Sequence, residues 1–317
     1  MKLIIQIPCY NEEATLPATL NDLPRELAGI ERIELLIIND GSTDRTAAVA
    51  QENGVEHIVN LPRNQGLARA FVAGIEASLA AGADIIVNTD ADNQYAAADI
   101  PKLIQPILDG QADIVIGARS IAQLEHFSAT KKILQRLGSW VVRIASNTDV
   151  ADAPSGFRAF SRDAARRLNV FSKYSYTLEM VIQAGQKNMT IVSVPIRTNP
   201  QTRPSRLMKS TWSYVLRSLG TIVRIFMSYS PLRFFISLST LPLTLGIILS
   251  VRWLVLYFGG TTRAHVPSLV AAAVLLLAGF QLIIVGLVAD LLSVNRKLLE
   301  DIQLRLRRFD LDSHNHS

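Results

Sequence analysis

A single cysteine, Cys9, stands in the whole chain of 317 residues. An intramolecular disulfide is therefore excluded, and the Cys/His spacing of a zinc site is missing as well. Cys9 closes an apolar stretch, which suits a buried thiol. Aromatic residues are scarce, at 7%, and are not interleaved with the basic ones as base-stacking platforms require, so no nucleic-acid partner is expected. Charge is missing altogether from residues 234–251 and 266–289. Each run is long enough to cross hydrocarbon at about 1.5 Å per residue. A buried core helix is the alternative for either run alone, but two in tandem argue against it.

The charge elsewhere leans positive, with a net +5 that suits an anionic partner: a phosphorylated substrate or membrane lipids. Arg217, Arg224 and Arg233 precede the first apolar run, and Arg296, Lys297, Arg305, Arg307 and Arg308 follow the second. The connection between the runs carries little besides Arg263, and Arg252 can snorkel to the interface. The positive-inside rule then places both flanks in the cytoplasm and the short connection outside. The opening MKLIIQIP is too short for a signal peptide. A multi-pass protein of the cell membrane is expected, or of the endoplasmic reticulum membrane in a eukaryote, with its bulk in the cytosol.

The first half repeats one unit: a short β-branched run, a polar loop, a helical pattern. Strands are predicted at 2–7, 33–38, 57–61, 83–89 and 113–118, and helices at 13–27, 44–52, 67–81 and 97–108. This alternation specifies an α/β fold of Rossmann-like type, a mostly parallel sheet with helices on both faces. Ligands of such sheets bind at the carboxyl ends of the strands. Beyond Phe157 the pattern loosens; one more strand is predicted at 190–195. Residues 210–227 place Trp212, Val215, Leu219, Ile222 and Phe226 at helical spacing, as on a helix lying on a membrane surface or, equally, one facing a core.

Five polar loops follow the predicted strands in order: IPCYNEE (7–13), NDGSTD (39–44), PRNQGLARA (62–70), DADNQY (90–95) and GAR (117–119). Any one alone reads as a turn or a helix cap; five in sequence do not. With SGFR at 155–158, and the spacing of Asp90, Asp92 and Gln94, the series resembles the family 2 glycosyltransferases of GT-A fold. The specific likeness is to the dolichol-phosphate mannosyltransferase-like, polyprenyl-phosphate branch, whose paired C-terminal spans also occur here.

The resemblance implies inverting transfer of a sugar from a nucleotide-sugar donor to a polyprenyl phosphate, with Mg2+ or Mn2+ as cofactor. It implies that Asp92 and Gln94 bind the metal and that Asp90 shares it or sits near the ribose and phosphate. Two positions apart, Asp92 and Gln94 could be aimed the same way by an extended loop. Pro8, Tyr10, Asn11, Glu12 and Asp40 would line the nucleotide pocket, with Glu13 favouring the N-terminal dipole of its own helix. Arg63 and Asn64 touch the nucleotide or hold their loop.

A phosphate acceptor is already anionic and needs cations rather than a general base. The candidates are Arg119 and Arg158, which match family motifs, and Lys132, Arg136, Arg203 and Arg206. Lys131 and Lys132 stand where an Arg is expected, and RPSRLMKS (203–210) replaces the usual Gly-Glu-Ser-Lys type segment, so Arg206 or Lys209 could supply that cation. Asp152 would orient Arg158 or serve as a base toward a hydroxyl acceptor; His126 is incidental.

The expected organisation is a catalytic domain over 1–209, an interfacial helix over 210–230, two transmembrane helices within 231–292 (about 234–256 and 266–290) and a basic tail over 293–317. A homo-oligomer is left open. The rival readings are a processive polysaccharide synthase, whose QxxRW-type motif is absent, and a non-catalytic membrane scaffold.

Overall fold

The computed structural model describes residues 1–119, 148, 150–168, 170, 176–199, 220, 223–224, 226–227, 229–260 and 266–314. The chain divides into two compact units, one built on a sheet and one, Gly220–Gln303, on the two apolar helices. The expected interfacial helix lies mostly outside the described residues, as do Lys131, Lys132, Arg136, Arg203, Arg206 and Lys209.

Seven strands form one sheet: β1 Lys2–Cys9, β2 Arg32–Asn39, β3 His57–Asn60, β4 Ile85–Asn88, β5 Ile114–Arg119, β6 Arg158–Ser161 and β7 Ile191–Ile196. Their order is β3-β2-β1-β4-β6-β5-β7. β1 and β2 are mostly apolar because helices cover both faces of the sheet, apart from the buried Gln6 and Glu34, and all but their first residues are buried or nearly so. The core joins Leu3, Ile5 and Ile7 of β1 and Ile37 of β2 to Leu16 and Leu20 of α1 (Leu16–Asp22) and to Ile100 and Leu103 of α4 (Ile100–Leu108). Between them run α2 (Thr46–Glu52) and α3 (Leu67–Ala80). Gly74 lets α3 approach closely, since a Cβ there would sit 2.5 Å from Gln6 Oε1.

The sheet is mostly parallel as expected, with one strand against the grain. β6 pairs antiparallel with both β4 and β5, whereas the neighbours in the rest of the sheet run parallel. The sheet is mixed. A four-residue strand opening on an arginine gives no periodic signal, and the same holds for α5 (Arg162–Arg167), which Ser161 caps by accepting from Ala164 N at 3.1 Å. α6 (Tyr176–Gln186) then leads to β7. α1 is also shorter than predicted: it starts at Leu16, with Pro17 in its first turn, where a missing N–H costs nothing.

The second unit holds α7 (Pro231–Phe258) and, as far as Gln303, α8 (Val266–His314). Both are long and apolar enough to cross a membrane, and α8 is apolar to about Asn295 before continuing as one helix through the basic tail. Large apolar side chains such as Leu241, Ile248, Leu277 and Phe280 stay exposed. The two helices meet through glycines. A Cβ on Gly246 would lie 2.9 Å from Leu276, one on Gly279 2.5 Å from Leu243, and one on Gly286 2.9 Å from Phe235. Rising numbers on one helix meet falling numbers on the other, so the pair is antiparallel, with small residues at the seam as in helix pairs packed in lipid.

Gly279→Leu should therefore force the pair apart, at a cost of about 1–3 kcal/mol for overpacking. Hydrogen exchange on detergent-solubilised protein should show lost amide protection around Leu243 and Gly279 and none around β1. Unchanged protection at the seam would show that these glycines do not govern the packing.

Candidate functional site

The parallel strands β1, β2, β4 and β5 all end at one edge, where their loops gather. β6 runs the other way, so the residues that precede it, 151–157, arrive at that same edge. This is how a segment far along the sequence comes to stand beside the end of β4.

The loops after β1 and β2 are zipped together. Asn11, at φ 54°, donates its amide to Ser42 Oγ at 3.0 Å and accepts from Thr43 N at 2.8 Å. Glu12 N donates to Thr46 Oγ1 at 2.9 Å and Glu13 N to Asp44 Oδ2 at 3.2 Å. Burial alone would push the Asp44 carboxyl up, but hydrogen bonds from Thr46 and Glu13 hold it below the usual range. The Glu13 carboxylate accepts from Arg45 N at 2.9 Å. It thus serves the N-terminus of α2, not of its own helix as expected. Pro8 is buried in β1, Glu12 accepts from Thr15 Oγ1 at 2.7 Å, and Tyr10 is exposed at the edge.

Asp40 is buried and accepts from the amides of Gln65 at 2.7 Å and Gly66 at 2.9 Å. Its carboxylate carries the third loop and leaves Arg63 and Asn64 exposed. Gly41, at φ 66°, admits that loop, since a Cβ would fall 2.4 Å from the Arg63 carbonyl carbon. Only glycine fits there.

The DADNQY segment is not extended. Asn93 turns left-handed at φ 54°, and Asp92 Oδ1 accepts from Gln94 N at 3.2 Å. The expectation that two-residue spacing alone aims Asp92 and Gln94 is corrected accordingly: a tight turn sets their directions. Asp90 lies against Gly156, where an added Cβ would come within 3.1 Å of its carboxylate. Burial first, then the Asp92 charge, and more weakly Glu12, push Asp90 up to about 7 against the pull of Arg119. Tyr95 accepts from Gly156 N at 3.1 Å and stacks on Phe157 at 5.0 Å; burial and the Asp90 charge raise its hydroxyl to about 12.

The two arginines divide their roles. Arg119 donates Nε to Asp152 Oδ2 at 2.7 Å and Nη2 to Oδ1 at 3.0 Å, a two-pronged pair. This bond raises the Arg119 pKa further, outweighing the desolvation that opposes it. Arg119 is half-buried at the edge of the site, close enough to act on Asp90 and Tyr95. Arg158, by contrast, is completely buried. Its guanidinium donates to the carbonyls of Ser155 (2.7 Å), Thr177 (2.9 Å) and Ala153 (2.5 Å), and lies 6.0 Å from the centre of the Tyr176 ring. Two expectations are corrected. Arg158 faces inward and ties the 153–155 segment to α6, so it does not present its fork to an acceptor. Asp152 orients Arg119 rather than Arg158.

Sequence reasoning missed the buried polar line beneath the site. Gln6 Nε2 donates to Asn88 Oδ1 at 2.9 Å, and Asn88 Nδ2 donates to Gly156 O at 2.8 Å and to Tyr176 Oη at 3.1 Å. Polar residues inside otherwise apolar strands were the available signal. Also missed was Asp99, which accepts from Arg197 Nη2 and Lys102 Nζ, each at 2.8 Å. Burial would raise its carboxyl, but these bonds bring it down to about 2.

The model of the family described as "Glycosyl transferase family 2" matches residues 4–168. An undecaprenyl-phosphate mannosyltransferase of Micrococcus luteus is 29% identical over 206 residues, covering 62% of this chain and 83% of that protein. A low-salt glycan biosynthesis hexosyltransferase of Haloferax volcanii is 27% identical over 291 residues, 90% of this chain and 67% of its own length. Among solved structures, glucosyl-3-phosphoglycerate synthase from Mycobacterium tuberculosis, in complex with Mn2+, UDP and glucosyl-3-phosphoglycerate, superposes with a TM-score of 0.54. It is 21% identical, over 72% of this chain and 79% of that one, and so shares the fold.

Arg158→Leu should leave three buried carbonyls without a donor. At about 1–3 kcal/mol for each orphaned group, denaturant unfolding of the purified protein should register a loss of about 3 kcal/mol or more. Unchanged stability combined with weakened acceptor binding would return Arg158 to the acceptor site.

Proposed function

Since the chain belongs to glycosyl transferase family 2, we propose that it transfers a sugar, with inversion, from a nucleotide-sugar donor to a polyprenyl phosphate at the cytoplasmic face of a membrane. The observation that carries this reading is the placement of Asp90 beside Gly156, within the field of both Asp92 and Arg119. Burial, and after it the neighbouring Asp92 charge, raises Asp90 to about 7; a cation would relieve both, and hard oxygen donors suit Mg2+ or Mn2+. Among the described residues no three His, Cys, Asp or Glu side chains form a cage. One or two carboxylates are enough for a cation that takes its other ligands from water and phosphate. Asp92 and Gln94 would hold it, with Asp90 shared between cation and donor. When bound, such a cation supplies positive charge against the diphosphate leaving group.

The rest falls to the chain's own residues. The zipped loops carrying Tyr10, Asn11, Glu12 and Asp40 form the nucleotide side of the edge. Arg119, locked by Asp152, offers a fixed positive charge close to Asp90, where an anionic acceptor can approach. Asp152 spends both carboxylate oxygens on Arg119 and so is poorly placed to take a proton. A phosphate acceptor needs no such base, whereas a sugar hydroxyl does. The acceptor class also follows the Micrococcus luteus relative by name, and a lipid acceptor accounts for two helices with apolar side chains turned outward. Arg203, Arg206 and Lys132 are proposed as further cations for the acceptor.

The test is to incubate purified protein with UDP- and GDP-sugars, undecaprenyl phosphate and Mg2+ or Mn2+, and to follow the lipid by mass spectrometry. A glycosylated lipid phosphate is expected, lost with EDTA and lost in Asp92→Ala. Transfer only to a soluble acceptor such as 3-phosphoglycerate would overturn the lipid reading. Because the cation competes with a proton on Asp90, Mn2+ affinity should be steady above pH 8. It should fall about tenfold per pH unit below about 7, the value to which Asp90 is raised. A flat profile from pH 8 to 5.5 would remove Asp90 from the cation site.

A further inference from the structure

Asn93 is one of three non-glycine residues with positive φ among those described, and it sits between Asp92 and Gln94. A left-handed asparagine is tolerated rather than favoured, so the turn needs support from outside. Two separate elements supply it. On one side α1 presents Thr19 and Asp22, three positions apart and hence on one helical face. Thr19 Oγ1 donates to Ala91 O at 3.0 Å, and Asp22 Oδ2 accepts from Asn93 Nδ2 at 2.7 Å.

On the other side the strand exit after β7 lies along the loop. Asn199 donates its amide to Gln94 O at 2.8 Å and its Nδ2 to Asn93 O at 3.0 Å, while Ala96 N donates to Arg197 O at 3.2 Å. The exit is itself moored by Arg197, which donates backbone and side chain to buried Asp99. The turn in which Asp92 Oδ1 accepts from Gln94 N therefore sits in a vice, with Asn93 gripped by its side chain on one side and its carbonyl on the other.

We propose that Thr19, Asp22 and Asn199 are positioning residues that hold the Asn93 turn, so that Asp92 and Gln94 are already set for a divalent cation before it arrives. This rests on the reading of the 90–94 loop as the cation site. None of the three touches the cation. Each removes part of the freedom that the loop would otherwise lose on binding, and preorganisation of that kind appears as affinity.

The experiment measures Mn2+ binding by electron paramagnetic resonance, with UDP and separately with GDP present, alongside the thermal midpoint. It compares wild type with Asp22→Ala, Asn199→Ala and the double variant. Loss of one hydrogen bond to the loop should weaken Mn2+ binding about three- to tenfold, and the double variant should be weaker than either single one. The thermal midpoint of Asp22→Ala should move little, because that bond is exposed. If Asn199→Ala does not fold, Asp22→Ala and Thr19→Val carry the same test from the α1 side.

Mn2+ affinity within twofold of wild type in a folded Asp22→Ala and a folded second variant would overturn the positioning role and leave the cation site standing. Failure of wild type to bind Mn2+ with either nucleotide would overturn the cation site and this inference together.

Discussion

The pairing of β6 with β4 is the constraint on which the site depends. Arg158 stands opposite Asn88, and Ser161 opposite Ile85, in an antiparallel ladder. An inserted parallel strand would have placed residues 151–157 at the far edge of the sheet. Running backwards, β6 instead brings Asp152, Ser155 and Gly156 to the end of β4, where Asp90 begins the acidic loop. Gly156 then leaves room for the Asp90 carboxylate, Asp152 collects Arg119 from the end of β5, and Arg158 fastens the segment from beneath. Remove the ladder and these groups have no reason to meet.

The ladder is held by polar groups that are buried and almost all satisfied. Asn88 links Gln6 on one side to Gly156 and Tyr176 on the other. Arg158 enters the same layer with no carboxylate bonded to it; three carbonyl dipoles take its fork. Burial therefore lowers its pKa, and the charge is tolerated because each of its three nitrogens donates to a carbonyl. Such a network is costly to break and fixes one arrangement of strands, which suits a loop that must arrive at the right edge.

Much of this was legible in the sequence. The apolar runs of β1, β2 and β5 are bounded by polar loops, and that pattern alone placed five loops at one edge. What was not legible has a physical reason in each case. β6 is four residues long and begins with a charge, so it carries no alternation. Arg158 sits in a motif whose chemistry suggests anion binding, but whether an arginine faces a ligand or a ring of carbonyls depends on contacts with Ala153 and Thr177 that spacing cannot reveal. Glu13 reads as a helix-start carboxylate and is one, though for the neighbouring helix, because the β1 and β2 loops interlock. Asp92 and Gln94 stand out by their spacing, yet the left-handed Asn93 between them is held by α1 and by the exit from β7, which spacing does not show.

The charge balance at the edge links structure to the proposed chemistry. Glu12, Asp90 and Asp92 stand against Arg119, whose charge is already engaged by Asp152. Such an edge repels a nucleoside diphosphate on its own. In the proposed reaction an anionic donor would settle there together with a cation that answers the carboxylates and the phosphates at once. The proposed acceptor would meet a different field, since Arg119 is partly exposed and held by both oxygens of Asp152. The cation for the donor side would thus come from solution, while that for the acceptor side would be built into the chain. Donor binding would then be conditional on the metal, and acceptor binding would not. That asymmetry would follow from where β6 places Asp152: without both of its oxygens on the guanidinium, Arg119 would lose the contact that orders it at the edge.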